Sequence, residues 1–278
     1  MTGILGAVRS QRGGNVGLIL VMLILLLALI GPLVALDPNR IDVPARFSGP
    51  SFAHPLGTDN LGRDLFARVA VGTRSALAIA SVVVVLSLSA GLAVGATAAM
   101  SGGIVDRAII AVLDMISAFP IYILIFALVA LYGPGLSKLI VVIALAFLPQ
   151  FSRVARSLAM SLKNRPFIEA ARLMGLSQTK VILRHIIPNI IGPMIVLASM
   201  NLPVVITIEA AMSFIGLGVQ PPATSLGTLL RDGYVFLSDS WWQIVGAAAV
   251  LAVATLGCTL LGEALRDAVD PKLKGRLL

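Results

Sequence analysis

Charge is scarce in this chain. Only 12% of its residues are Asp, Glu, Lys or Arg, about half the roughly 25% that soluble domains carry. With 58% hydrophobic residues and a mean hydropathy of +0.99, too little polar side chain remains to cover a globule in water, so the sequence reads as an integral membrane protein. The single cysteine, Cys258, excludes a disulfide within the chain, and two histidines far apart in sequence supply no local zinc motif. No Gly-Lys pair occurs, so the phosphate-binding loop G-x-x-x-x-G-K-[ST] is absent. H-E-x-x-H is absent too, and no nucleophile and base stand near one another, so no catalytic residue, metal ligand or cofactor of this chain's own is expected. Aromatics make up only 5%, and the bases lie between oily runs. The net charge of +8 therefore fits an anionic membrane surface, and no nucleic-acid partner is expected.

What is abundant is apolar sequence in runs of membrane length. Residues 16–36, 76–100, 108–131, 137–157, 186–208 and 242–262 are each near the roughly 20 residues that cross a hydrocarbon core. The expected fold is all-α: a polytopic membrane protein with six transmembrane helices, forming one membrane domain over residues 1–278. With the N-terminus inside, 14 of the 21 bases fall on cytoplasmic segments, Arg9, Arg12, Arg107 and the set between Arg153 and Arg184 among them. The positive-inside rule then places both termini in the cytoplasm. Trp241 and Trp242 open the last run, as expected of an interfacial anchor.

The polar passage lies at 158–185, inside the cell on this topology. Asn164 and Pro166 are helix-start signals, Glu169 suits the positive end of a helix dipole, and Gly175 suits a left-handed cap. Ser177 can then cap a second short helix from Gln178. Phe167, Ala170, Ala171 and Met174 fall at i, i+3, i+4 and i+7, which predicts one apolar face with a low centre. An amphipathic loop resting on lipid headgroups and a helix offered to a groove on a partner both fit that pattern.

Glu169, Ala170 and Ala171, then Gly175 after three residues and Pro188 after twelve more, resemble the EAA motif of ABC importer permeases, the membrane subunits that dock on cytoplasmic ATPases. The resemblance implies that 158–185 is the coupling loop, with Phe167, Glu169, Ala170, Ala171, Met174, Gly175, His185 and Pro188 as its coupling residues. His185 stands where Ile is usual and Ile187 where Leu is usual; a histidine there is similar to the peptide-importer branch. Leu56 to Asp64, reading L-G-T-D-N-L-G-R-D, resembles the C-type permease subunit of dipeptide, oligopeptide and nickel importers. Residues 209–227 resemble that branch's segment between the fifth and sixth spans, with Thr224 and Leu226 where Pro and Trp are common.

The resemblance implies a type I importer bundle in a bacterial or archaeal cytoplasmic membrane. It also implies a sister permease of B type, two cytoplasmic ATPase subunits that bind ATP and Mg, and an extracytoplasmic substrate-binding protein. Small peptides are the expected cargo, with nickel or another small solute as the alternative. From residue chemistry, Asp59, Arg63 and Asp64 are candidates for an external gate or a docking site, and Asp64 and Arg68 are i, i+4 partners on a helix. Asp114, Asn201 and Glu209 are candidates for the transport pathway, because polar groups at membrane depth mark conduits. Pro188, Pro193 and Pro203 lead us to expect that residues 186–218 line the conduit and re-enter from outside. A self-sufficient secondary transporter using Asp114 and Glu209 is the reading from another class.

Overall fold

The computed structural model describes residues 11–269, so Arg9 and the bases beyond 269 lie outside it. Among the described residues there are ten α-helices and no strands: α1 Arg12–Val34, α2 Leu65–Ser101, α3 Gly103–Ser117, α4 Ile121–Tyr132, α5 Leu136–Leu162, α6 Pro166–Leu173, α7 Gln178–Val181, α8 Ile187–Phe214, α9 Leu226–Val235 and α10 Trp242–Val269. Helices are the expected solution for an apolar chain, since hydrocarbon offers nothing to bond a free amide or carbonyl. Four of them (α1, α2, α5 and α10), and the stretch from α7 through α8, are long and apolar enough to cross a membrane. A sixth crossing requires α3 and α4 to count together, and those two helices meet at 84°. The run at 108–131, expected as one span, is therefore two helices broken at Phe119-Pro120, where proline removes a helix donor and disfavours helical backbone before it.

The residues 186–218 do not re-enter. α8 is continuous to Phe214, and α7, a wide π turn at Ile182–Ile186 and α8 run as one helix over Gln178–Phe214. In the π turn the Ile187 N–H reaches back to the Ile182 carbonyl. The extra residue in this turn gives room just before Pro188, whose ring would otherwise crowd the preceding turn. The Asn189 side-chain amide donates to the His185 carbonyl at 2.6 Å.

The chain divides into two compact groups. One comprises the described part of 1–82, residues 129–140 and the described part of 200–278; the other comprises 83–128 and 141–199. In the first, α1 lies on α10 through reciprocal glycines: a Cβ on Gly17 would come within 2.7 Å of the Leu261 nitrogen, and one on Gly257 within 2.8 Å of the Leu20 Cβ. Such contacts let backbones approach where no hydrophobic force draws helices together. Val69 and Ala76 of α2, Leu226 and Leu229 of α9 and Ala247 of α10 form one hydrophobic cluster of its core. α9 starts from a capping box, with Ser225 accepting from the Thr228 N–H while Thr228 Oγ1 accepts from the Ser225 N–H.

The segment Leu56–Asp64 belongs to this group and folds around one carboxylate. Asp59 is fully buried. Its Oδ1 accepts from the Leu61 and Arg63 N–H groups at 2.8 and 2.9 Å, and its Oδ2 accepts from Arg63 Nε at 2.7 Å and from Arg68 Nη1. Gly62, at φ +73, passes so close to the Asp42 carbonyl that a Cβ would sit 1.7 Å from its oxygen. The expected i, i+4 pair is corrected here: Arg68 pairs with Asp59, whereas Asp64 accepts the Ala67 N–H at 2.7 Å at the start of α2 and takes His54 Nδ1 at 2.8 Å. The reason is geometric, because a carboxylate just ahead of a helix meets that helix's free amides before it meets a side chain one turn on.

In the second group α2 packs on α5. A Cβ on Gly95 would lie 2.3 Å from the Ser152 carbonyl oxygen and 2.8 Å from the Ala155 Cβ, and one on Gly91 2.4 Å from the Phe151 Cβ. Asp106 of α3 and Arg156 of α5 form a two-pronged ion pair, both bonds at 2.6 Å. Two predictions follow from these contacts. Asp59→Asn leaves the buried Arg68 with only the more distant Asp232, at 3.9 Å, and should cost about 3–5 kcal/mol; a melting temperature in detergent equal to wild type would refute the hub. Gly95→Val should cost about 1–3 kcal/mol by overpacking, read as loss of folded protein on size exclusion, whereas Gly192→Val, with nothing within 4 Å of its Cβ, should be milder.

Candidate functional site: the α6–α7 hairpin and the intramembrane charges

α6 begins with Arg165 in extended backbone and Pro166 in its first turn, where a missing N–H costs nothing, and Glu169 lies in that turn too. Its end is a Schellman motif. The Leu176 N–H donates to the Ala171 carbonyl at 3.2 Å and the Gly175 N–H to the Arg172 carbonyl at 2.9 Å. Gly175 has φ +82, which the motif demands and a side chain rarely adopts. Ser177 precedes α7 in extended backbone without a side-chain cap bond.

Burial divides the expected apolar face. Ile168 and Ala171 are fully buried, while Phe167, Ala170 and Met174 are exposed. Ala171 therefore faces its own subunit, a correction to its place on the outer face. A helix of eight residues can bury only a narrow stripe, and the pair at i, i+3 takes it. The outer crown gains a residue that sequence spacing did not nominate: Leu173, 89% exposed, beside Met174 at 71% and Phe167 at 42%. Its signal was there, since an isolated leucine three residues after Ala170 extends the same exposed stripe. His185 is half-buried in the π turn and Pro188 is exposed at the start of α8.

The hairpin is tied to the end of α2 at two points. Lys163 Nζ donates to the Ala99 carbonyl at 2.8 Å, satisfying a last-turn acceptor, and Gln178 Nε2 donates to Ser101 Oγ at 3.2 Å. Val181 of α7, and Ile182 and Ile186 of the π turn that follows, are buried. A short rigid element with an apolar crown outside and polar ties inside is suited to receive a partner and pass displacement inward.

The remaining candidates fall in three places. Asp114 on α3 accepts from Arg153 Nη2 of α5 at 2.8 Å, and the same nitrogen reaches Ser117 Oγ at 3.0 Å. Both partners are open to the surface, at 60% and 46% for the side chains. They adjoin a cavity of about 560 Å³ lined by Ser117, Phe119, Pro120, Gln150 and Arg153. An ion pair so exposed on apolar helices has to meet water or protein, since lipid would charge heavily for it. Arg153, expected on a cytoplasmic segment, pairs with Asp114, and only three-dimensional packing shows the pair. Asn201 is buried on α8. Glu209 is fully buried, accepts from Ser213 Oγ at 2.7 Å and lies beside Ser225. Ser213 Oγ in turn accepts from the Val219 N–H at 3.1 Å, so Glu209 braces the loop that leads into α9. Asp59, Arg63 and Asp64 are the inward-turned cluster of the Leu56–Asp64 segment, with only Arg63 part-exposed.

Known proteins agree on what kind of molecule this is. A family profile described as the binding-protein-dependent transport system inner membrane component matches residues 87–275. A dipeptide transport system permease protein of Alkalihalophilus pseudofirmus is 35% identical over 267 residues, 96% of this chain and 88% of that protein. A di/tripeptide transport system permease protein of Pseudomonas aeruginosa is 35% identical over 271 residues, 95% of this chain and 89% of that protein. A nickel transport system permease protein of Escherichia coli K12 is 36% identical over 265 residues, 95% of this chain and 96% of that protein. Among solved structures, a chain of the MetNI methionine ABC transporter in an inward-facing conformation superposes with a TM-score of 0.57 at 18% identity, over 73% of this chain and 97% of that one; at that identity the likeness is one of fold. The chain belongs to the binding-protein-dependent transport system inner membrane component family, the membrane-embedded permeases of ABC importers.

Proposed function

We propose that this permease works as the C-type half of a pair, with a B-type sister permease, two cytoplasmic ATPase subunits and an extracytoplasmic substrate-binding protein. ATP and Mg are held by the ATPases, and this chain performs no covalent step. The α6–α7 hairpin lies in the cytoplasm with both termini and fits a cleft on an ATPase, so that closure of the ATPase pair pulls the hairpin and, through it, the ends of α2 and α8. The observation that carries the reading is the exposed crown of Phe167, Leu173 and Met174 on a short helix whose other side is anchored. The whole chain acts as one permease domain, with Asp114 and Asn201 along the cargo path and Glu209 bracing its outer end.

The cargo is a di- or oligopeptide. Support comes from the relatives named for dipeptides and di/tripeptides, and from His185 in the branch's position. A second reading, nickel, has the support of the E. coli relative named for it. Reconstituted with its partners, the complex is expected to take up labelled dialanine in an ATP-dependent way and not labelled nickel; the reverse pattern would replace the peptide assignment.

Docking through the crown has its own test. Leu173→Asp removes a large apolar contact and adds a charge, which at about 1.5–3 kcal/mol corresponds to roughly ten- to hundredfold weaker ATPase docking. ATP-driven uptake should fall accordingly while the chain still inserts and folds. Ala171→Asp, by contrast, places a charge in a buried position and should lower the amount of folded protein itself. Undiminished uptake in Leu173→Asp would remove the hairpin from the coupling path.

A further inference from the structure

Between Arg46 and Asp59 the chain has no Asp, Glu, Lys or Arg, although charged residues crowd both sides of that stretch. Pro50, Ala53 and Pro55 are exposed there, and Phe52 is exposed over its whole surface. One apolar side chain in the open signifies little by itself. What gives Phe52 a meaning is how firmly it is displayed and at what level.

The ring stands on a turn held from behind. The Ser51 N–H donates to the His54 carbonyl at 2.8 Å, and the His54 N–H donates to Ser51 Oγ at 3.1 Å. The two ends of the loop are joined by the Ser48 N–H donating to Thr58 Oγ1 at 2.9 Å and the Thr58 N–H donating to the Ser48 carbonyl at 3.0 Å. His54 Nδ1 meets Asp64 at 2.8 Å, which ties the turn to the start of α2. Every bond points inward, and the ring is left facing out.

Two contacts set the level of the turn. A Cβ on Gly49 would sit 3.4 Å from Nε1 of Trp242, the residue at which α10 begins, and one on Gly246 would sit 3.5 Å from Leu56 Cδ1. The loop therefore leaves α10 at its first residue and rejoins it one turn further in, about 6 Å along the axis. From Gly49 to Phe52 an extended chain reaches at most about 11 Å, and from Leu56 at most about 14 Å; the turn shortens both. The polar layer on each side of a hydrocarbon core is itself about 5–8 Å thick. α10 is long and apolar enough to cross a membrane, so a ring tethered on both sides to its first turn is held near the layer where that helix enters lipid. Tryptophan, here Trp241 and Trp242, favours the same level.

We propose that residues 49–55 are a membrane-surface anchor, with the Phe52 ring set among the headgroups and upper acyl chains at the Trp242 end of α10. The partner is the lipid surface. A stretch free of full charges enters that layer without stripping water from an ion, and the ring supplies the apolar area that holds it there. On the proposed topology this is the outer leaflet; the depth of the ring does not depend on that topology. Through His54 and Asp64 the anchor also fixes the start of α2 relative to the membrane surface.

The test uses the complete transporter in liposomes, with Cys258→Ala removing this chain's own thiol and a nitroxide attached at Ala53→Cys, Asn39→Cys or Leu256→Cys in turn. Signal from complexes without an introduced cysteine is subtracted. Collisions with oxygen, which concentrates in lipid, are compared with collisions with a water-soluble nickel chelate. Asn39, exposed between Asp37 and Arg40, is the aqueous reference, and Leu256, exposed halfway along α10, is the reference within the span. The oxygen-to-nickel ratio at position 53 should exceed that at 39 by about tenfold, since taking an apolar ring out of water favours the inserted state by that factor or more. Adding Phe52→Asp should bring the ratio at 53 down to the value at 39, with the yield of folded complex unchanged. Equal ratios at 53 and 39 overturn the anchor, as does a high ratio at 53 that Phe52→Asp leaves in place. Shielding from nickel that appears only with the substrate-binding protein assigns the turn to that protein and overturns the lipid assignment. Shielding from oxygen and nickel alike without it shows that a neighbouring subunit covers the turn, and overturns it too. Free access of nickel to Leu256→Cys counts against the membrane span of α10 itself, separately from the anchor.

Discussion

Hydrocarbon cannot bond a polar group, and nearly everything in this molecule is arranged around that fact. The backbone meets it by running in helices. Helices that share no hydrophobic incentive to associate then need shape, which small residues supply: Gly17 and Gly257 between α1 and α10, Gly91 and Gly95 between α2 and α5. Hydroxyls inside the membrane turn back on their own helices, as Thr73 does to the Val69 carbonyl and Thr207 to the Pro203 carbonyl. The few charges are then concentrated where they can be matched. Asp59 gathers four donors, and Asp106 takes both prongs of Arg156.

The same constraint explains why prolines bend the chain in one place and leave it straight in another. Pro120 follows Phe119 at the junction of α3 and α4, two helices each shorter than a membrane, and there the axis turns through 84°. Pro188, Pro193 and Pro203 fall on a helix that stays continuous for 37 residues over Gln178–Phe214. At the first of them the π turn makes room, with Asn189 bonded to the His185 carbonyl just beyond it. Proline count alone does not distinguish these outcomes. What decides is whether the freed carbonyls and the crowded ring can be accommodated without leaving the helix.

That difference marks how far the sequence could be read. The apolar runs and the Pro166, Glu169 and Gly175 punctuation specify helices and a sharp turn locally, because capping and membrane length act over a few residues. The facing of Ala171 and the prominence of Leu173 were not legible, since a short helix with apolar residues on several sides leaves its orientation to the structure beneath it. Asp64 and Arg68 look paired by spacing, yet Arg68 reaches nine residues back to Asp59. Likewise Asp114 and Arg153 are 39 residues apart and meet only through packing. Local chemistry was visible in the sequence; pairing across turns and helices was not.

The hairpin is where these two kinds of information join. Its turn is set by backbone rules internal to residues 165–176, with Pro166 at its start and Gly175 at its end. Its position is set by Lys163 on Ala99, Gln178 on Ser101 and the buried Ile168, Ala171, Val181 and Ile186. In the proposed coupling role, a push on Leu173 or Met174 is carried to the end of α2 and, through the unbroken helix over Gln178–Phe214, along α8. Transmission needs a stiff element whose anchors are stronger than its outer contact. The polar ties and buried stripe on one side, against a crown without polar ties on the other, give this hairpin that asymmetry.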